Sequence, residues 1–220
     1  MGKETELRKE LSQSVLAYVR EKHPEEIDKA YSYFWDETNP DEYMAGTALE
    51  LGFHNFEDWL LCDYRDKENS RSFIDEYISC CNITAKESLE LLGRMKDSVL
   101  SLYEVVSVAR DKRVLLKDLL CGGEVSLRDR MLTRGLSEGD IFAARLLTLD
   151  GGPAMSGCVY PYRSNDKKKV LRHIEKQFSR FQRNVKPGGT MPEFLKDYGD
   201  VFNIAWMHFI LNQAEEKTRG

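Results

Sequence analysis

The stretch "LYEVVSVARDKRVLLKDLLCGGEV", Leu102–Val125, decides the fold because it places a β-rich module in the middle of a chain with otherwise helical periodicity. Its two runs of branched and aromatic residues are separated by the turn-forming letters "RDK", and "CGG" follows the second run. Runs of this kind between turn residues are typical of β-strands. The stretch therefore predicts the first hairpin of a sheet.

Further strands are predicted after this hairpin. The runs "EVSLRD", "DIFAARLLTL" and "AMSGCVYPY" continue the pattern to Tyr162. Asp150 and Gly151 predict a tight turn between the last two strands, because glycine takes positive φ without a Cβ clash. Five short strands within about sixty residues fit a small antiparallel barrel, since closure removes the exposed edges of an isolated sheet.

The residues on both sides of this module read as helices. Pro24 fits the first turn of a helix, and Asn55 and the Thr84-x-x-Glu87 pair are predicted to cap two others. We therefore expect an α+β protein with three parts. Residues 1–98 form a helical bundle, residues 99–163 a five-stranded β-barrel, and residues 164–220 two C-terminal helices that pack back on the N-terminal lobe.

The last predicted helix has an unusually wide apolar stripe. Six apolar residues recur at helical spacing in two adjacent rows: Val201, Phe202, Ala205, Trp206, Phe209 and Ile210. A stripe this wide and aromatic has to be covered. We expect it to dock on the N-terminal bundle, or on a second subunit, which would make a homodimer through this helix.

Composition narrows the class of protein. The 220 residues are 41% hydrophobic and carry a net charge of −5, which is typical of an ordinary globular chain. No apolar run approaches the ~18 residues of a membrane span, and the first residues lack the hydrophobic centre of a secretion signal. We therefore expect a cytoplasmic protein with no membrane partner.

The cysteines predict no metal site. There are five of them, without any C-x-x-C pair and with only four histidines, so neither a disulfide framework nor a zinc site is expected. Cys80 and Cys81 end an apolar run and are predicted to be buried and inert. The sequence indicates no cofactor.

One helix has a strongly asymmetric charge. In "KKKVLRHIEKQFSRFQRNVK" the apolar residues fall on one side of the helix, and five cations fall on the other. We call these five residues the cationic face: Lys169, Arg172, Lys176, Arg180 and Arg183. The segment 163–186 carries a net charge of +7, which leaves −12 for the rest of the chain.

The cationic face has a functional and a structural interpretation. As a binding site it would meet phosphates of a nucleic acid or an acidic protein. As a purely structural feature it would be a solvated face, or one balanced by carboxylates such as Glu25, Glu26, Glu57 and Asp58. Strand aromatics that could stack on bases are assigned to core packing instead: Tyr103, Phe142, Tyr160 and Tyr162.

Catalytic patterns are lacking in the sequence. No Ser or Cys lies in a Gly-x-Ser-x-Gly elbow, and no glycine-rich loop carries the lysine of a phosphate site. The leading hypothesis is a non-enzymatic binding or adaptor protein that uses the cationic face. The alternatives are a protein–protein interaction module with no nucleic-acid role, and a hydrolase-type enzyme whose site the sequence does not reveal.

The order of several segments resembles a known group of proteins. "FEDWLLCDYR", "SLYEVVSV", "LLKDLLCGGEVSLRDR" and "LSEGDIFAARLL" are similar to uncharacterised bacterial proteins, many of which end in the cysteine-rich SEC-C metal-binding motif. The similarity covers roughly residues 56–162. This chain has no cysteine after Trp206, so the metal-binding tail is not carried over. The resemblance implies an architecture and no activity.

Overall fold

The computed structural model describes residues 2–65 and 71–209. Within these residues the N-terminal part is helical, as predicted. Pro24 begins the second helix, where its missing N–H costs no hydrogen bond. Ser72 caps the fourth helix by accepting a hydrogen bond from the Asp75 N–H at 3.1 Å. The helices are α1 (Lys3–Lys22), α2 (Pro24–Phe34), α3 (Thr47–Cys62), α4 (Phe73–Cys80) and α5 (Lys86–Asp97).

Two predicted helix caps are wrong. Helix α3 begins at Thr47, so Asn55 lies in its middle, where it is fully buried and bound to the sheet. Helix α5 begins at Lys86 without a side-chain cap, and Glu87 pairs with Lys3 at 3.1 Å. In both cases a contact with a residue distant in sequence replaces the local hydrogen bond that the sequence motif suggests.

Cys80 and Cys81 are exposed, which contradicts their predicted burial. Helix α4 buries Phe73 and Ile74 at its start, and its last turn is exposed. The apolar run of α4 is therefore buried only at its start, because the end of this helix projects from the core.

The five predicted strands are all present and antiparallel. They are β1 (Leu100–Ala109), β2 (Arg113–Asp118), β3 (Glu124–Leu127), β4 (Ile141–Leu149) and β5 (Gly152–Tyr162), with a short helix α6 (Leu132–Gly135) between β3 and β4. The strand order is β3-β2-β1-β4-β5. The two-residue hairpin at Asp150 and Gly151 is confirmed, because Leu149 pairs with Gly152.

The sheet is open, so the prediction of a barrel is wrong. β3 and β5 approach each other, but no ladder joins them in the part of the chain that the structure describes. β3 has only four residues. In addition, the register between β4 and β5 shifts between Ala144 and Leu146, which leaves a bulge at residues 156–158 of β5. Gly157, at φ +111°, supplies the backbone conformation that this bulge requires.

After the sheet the described chain forms three α-helices instead of the predicted two helices. They are α7 (Lys167–Asn184), α8 (Met191–Asp197) and α9, residues 201–209. The break between α8 and α9 covers residues 198–200. A Cβ on Gly199 would lie 2.8 Å from an Asp63 carboxylate oxygen, so the chain passes close to α3 there only because this residue is glycine.

All three parts contribute to one buried core. Leu60 of α3, Tyr160 of β5, Ile174 of α7 and Phe202 of α9 belong to the same apolar cluster. Helix α9 contacts both the N-terminal helices and the sheet. Ile210 of the predicted stripe lies outside the described residues. Asn203 donates a hydrogen bond to the Phe34 carbonyl at 2.6 Å, and the Trp206 ring lies 5.7 Å from that of Tyr160.

Candidate functional site

Helix α7 is held in place by its apolar face. Val170, Ile174 and Phe181 are buried. The ring of Phe194 in α8 lies 5.6 Å from that of Phe178 and 5.7 Å from that of Phe181. This packing fixes the rotation of α7 about its axis and turns the opposite side of the helix outward.

The outward side is the predicted cationic face, and all five of its residues are exposed. Lys169 pairs with Asp166 at 3.1 Å, and Arg180 donates a hydrogen bond to the Gln177 amide oxygen at 3.3 Å. Within residues 2–65 and 71–209, Arg172, Lys176 and Arg183 form no ion pair. Most of this charge therefore faces solvent.

Carboxylates of the N-terminal helices that could have balanced the cationic face have other partners. Glu57 pairs with Arg20 at 2.7 Å, and Asp58 pairs with Arg145 at 2.6 Å. Neutralisation by these two acids is therefore not the explanation of the exposed charge.

An open cavity of about 280 Å³ adjoins the cationic face, and we call it the α7 cavity. Gln177, Arg180 and Asn184 form its wall on the α7 side. The opposite walls come from α2, α8 and α9 and are mainly apolar. They comprise Tyr33, Phe194, Tyr198, Asp200, Val201 and Ile204. Arg180 thus belongs both to the cationic face and to the cavity.

Exposed apolar side chains are concentrated in the lining of the α7 cavity. Five large hydrophobic residues are exposed in the described chain, and three of them line this cavity: Tyr33 at 49%, Val185 at 57% and Ile204 at 39%. The exposure of Val185 differs from its predicted place on the buried side of α7, because the helix ends at Asn184. Apolar groups concentrated in one exposed place mark interaction sites.

Three titratable groups of the cavity have perturbed pKa values, and burial raises that of the Tyr33 hydroxyl. Burial raises the pKa of Asp200 to about 6, although the Tyr33 hydroxyl donates a hydrogen bond to this carboxylate at 3.2 Å. Burial lowers the pKa of His173, and the neighbouring His208, Lys176 and Arg180 lower it further. The His173 Nε2 atom is buried and has no hydrogen-bond partner among the described residues.

Sequence reasoning identified the cationic face but missed the cavity. Tyr33 and Asp200 are far apart in the chain, and only the fold brings them together. His173 lies on α7 and also lines the cavity. The sequence around Asp200, "KDYGDVF", carries no pattern that sets this acid apart from Asp197.

A second cavity, of about 320 Å³, lies between α1, α3 and the β5 bulge. It is lined by the buried thiols of Cys62 and Cys158. Burial raises the pKa of Cys62 to about 12 and that of Cys158 well above its usual value. Both thiols stay protonated near neutral pH, which makes them poor nucleophiles.

Helix α3, strand β4 and helix α8 are joined by a network of buried charges. Arg145 of β4 is fully buried and binds Asp58 at 2.6 Å and also Asp63. Lys196 of α8 binds Asp63 at 2.9 Å and the Ser98 carbonyl at 2.8 Å. Two cations and two anions compensate each other, so this network connects elements and offers no free charge to a ligand.

The described residues contain neither a metal-binding cluster nor a helix that could span a membrane. No group of three or more His, Cys, Asp or Glu side chains there is arranged to hold a metal ion. None of the helices in that part combines the length and the apolar character that crossing a bilayer requires.

Comparison with known proteins identifies a family and no activity. No curated protein and no solved structure matches the chain significantly. The similarity to the SEC-C-tailed bacterial proteins stays a prediction. A family model does match, over residues 9–194, which is most of the chain and includes the sheet and the cationic face. The chain therefore belongs to the family of unknown function DUF7986.

Proposed function

We propose that this protein is a non-enzymatic cytoplasmic binding or adaptor protein whose cationic face contacts an acidic partner. The observation that carries the proposal is the exposure of Arg172, Lys176 and Arg183 without ion-pair partners in the described chain. Like charges four residues apart on a helix cost a few tenths of a kcal/mol each. The row therefore does not serve the stability of α7, and an acidic partner would relieve its repulsion.

An acidic protein is the partner that we favour over a nucleic acid. Proteins that bind single strands present aromatic rings on which bases stack. Tyr103, Phe142 and Tyr160 are buried in the core and cannot do this. The cationic face adjoins exposed apolar side chains instead, and a combination of apolar and charged groups is typical of protein interfaces.

Charge reversal tests this function. We expect Lys176→Glu with Arg180→Glu to abolish capture of the acidic partner from lysate, because repulsion replaces attraction. Since both side chains are exposed, the melting temperature should remain nearly unchanged. The matched control is Arg110→Glu with Lys112→Glu, an equal change of charge on exposed residues of the β1–β2 turn.

The two partner classes give different results in the same experiment. Capture that nuclease abolishes and that falls steeply with salt would indicate nucleic acid. Capture that survives nuclease and moderate salt would support a protein partner. Retention of the partner by the charge-reversed variant would contradict the proposal.

A hydrolase-type enzyme is the second candidate, and one observation favours it. The α7 cavity brings together a carboxyl with a raised pKa and an imidazole with a lowered pKa, and such perturbed groups cluster at catalytic sites. Turnover of simple ester or phosphoester substrates that His173→Gln abolishes would support this alternative. Equal turnover by the variant and the wild type would exclude His173 from catalysis.

A further inference from the structure

We propose that the α7 cavity binds an apolar side chain of the partner, so that the ligand is an acidic peptide segment with one central apolar anchor. This inference rests on the proposed function and specifies what the partner must look like. It combines the charge of the cationic face with the apolar walls of the cavity that Arg180 lines.

The size of the cavity suits a side chain better than a larger ligand. Sites for drug-sized molecules usually have roughly 300–1,000 Å³, and this open cavity has about 280 Å³. Protein interfaces obtain most of their affinity from a few apolar or aromatic residues that fill pockets of this kind. The exposed Ile204 and Val185 would contact such an anchor from two sides.

The length of the cationic face sets the length of the acidic segment. Arg172, Lys176, Arg180 and Arg183 follow one side of α7 and, at 1.5 Å per residue, span about 17 Å. About five extended residues cover this distance. Acidic residues on both sides of the anchor would therefore reach cations on both sides of Arg180.

His173 lies in the α7 wall of the cavity. Its Nε2 atom is buried and has no hydrogen-bond partner in the described chain. Because solvent does not reach this atom, a bound segment does not contact it. The inference therefore depends on the cationic face and on the apolar walls of the cavity.

Fluorescence anisotropy with synthetic peptides tests the anchor. One probe is a labelled peptide of six Asp and Glu residues around a central Phe, and the second has Ala at that position. We expect the wild-type protein to bind the Phe peptide at least tenfold more tightly. Equal affinity for the two peptides would overturn the proposal.

Two variants with the same exposed fraction show where the anchor binds. Ile204 in the cavity and Phe53 on α3 are each 39% exposed. Ile204→Glu should reduce affinity for the Phe peptide to that for the Ala peptide, whereas Phe53→Glu should change it less than twofold. If Ile204→Glu does not fold, as judged by thermal unfolding, Val185→Asp takes its place.

The same experiment separates this inference from the proposed function. If charge reversal at Lys176 and Arg180 removes both peptides while the cavity variants bind as the wild type does, the cationic face is the contact surface and the anchor is wrong. If charge reversal has no effect, the proposed function itself fails.

Tighter binding of a twelve-nucleotide oligo(dT) than of the Phe peptide would identify a nucleic-acid surface. A dimer in sedimentation that Ile204→Glu abolishes would identify a second copy of the chain as the occupant. Either result would overturn the proposal.

Discussion

At the scale of single residues, Asp200 is the clearest case of an environment that changes the chemistry of a side chain. The carboxyl is buried in the wall of the α7 cavity, where the Tyr33 hydroxyl is its side-chain donor and the charge of Asp63 acts against its ionisation. Its pKa of about 6 means that the folded state holds the proton more tightly than the unfolded chain. The protein therefore loses stability as pH rises from about 4 to 6.

Asp200→Asn should remove this loss. One pKa unit corresponds to ~1.4 kcal/mol, so the variant should gain up to about 3 kcal/mol in unfolding free energy at pH 7 relative to wild type. At pH 4 the gain should be close to zero. Urea denaturation between pH 4 and 7.5 measures the difference, and exposed Asp197→Asn controls for the loss of one negative charge. A gain that does not depend on pH would contradict the role of this ionisation.

The sequence predicts the placement of some side chains correctly and that of others wrongly. The cationic face could be predicted because a helix of known rotation fixes which residues share a side. Asn55 and Thr84 could not, because capping motifs compete with tertiary contacts that a single sequence does not display. Cys80 shows the same limit, since burial depends on where α4 leaves the core.

At the scale of elements, α3 and β5 are joined by the side chain of Asn55. Its amide donates to the Val159 carbonyl at 2.8 Å and accepts from the Val159 N–H at 2.8 Å. The amide group thereby imitates a neighbouring strand at the outer edge of β5. In a closed barrel, a neighbouring strand would pair with these backbone groups of β5. Because the Asn55 side chain pairs with them instead, the sheet can remain open, which is one reason why the predicted barrel is wrong.

Asn55→Leu should therefore destabilise the protein by about 3 kcal/mol, because it leaves two buried backbone groups of β5 without partners. Chemical denaturation measures the loss. Hydrogen exchange should also accelerate at the Val159 amide and leave the Val105 amide of β1 protected. An unchanged exchange rate at Val159 would show that water or another group replaces the side chain.

The number and order of strands were predictable, whereas their closure was not. Turn residues such as Asp150 and Gly151 determine where strands begin and end, and these limits agree with the structure within a few residues. Closure depends on the length of β3 and on the bulge of β5, and neither has a specific local signature.

At the scale of the whole molecule, the buried charges link segments that lie far apart in sequence. Arg145 of β4 contacts Asp58 and Asp63 near the end of α3, and Lys196 of α8 contacts Asp63 and the turn before β1. Burial disfavours the charged form of Arg145, but the two aspartates outweigh it and raise its pKa well above the usual value. Arg145 is therefore charged throughout the ordinary pH range, whereas burial lowers the pKa of Lys196.

Arg145→Met should destabilise the fold by about 3–5 kcal/mol, since it leaves buried carboxylates uncompensated. Arg20→Met is the matched control, because Arg20 pairs with Glu57 at 2.7 Å on the surface and such pairs contribute about 1 kcal/mol or less. Thermal and urea unfolding measure both variants. A similar small loss in both would show that the apolar core alone holds the three segments together.

The buried charge network also limits which residues can occupy the turn between α8 and α9. Loops usually accept sequence changes readily, but Gly199, between α8 and α9, lies where an added methyl group would be 2.8 Å from an Asp63 oxygen and 3.3 Å from the Leu195 carbonyl. Even alanine would press on the carboxylate that Arg145 and Lys196 share. This connection therefore accepts far fewer substitutions than its position in a turn suggests.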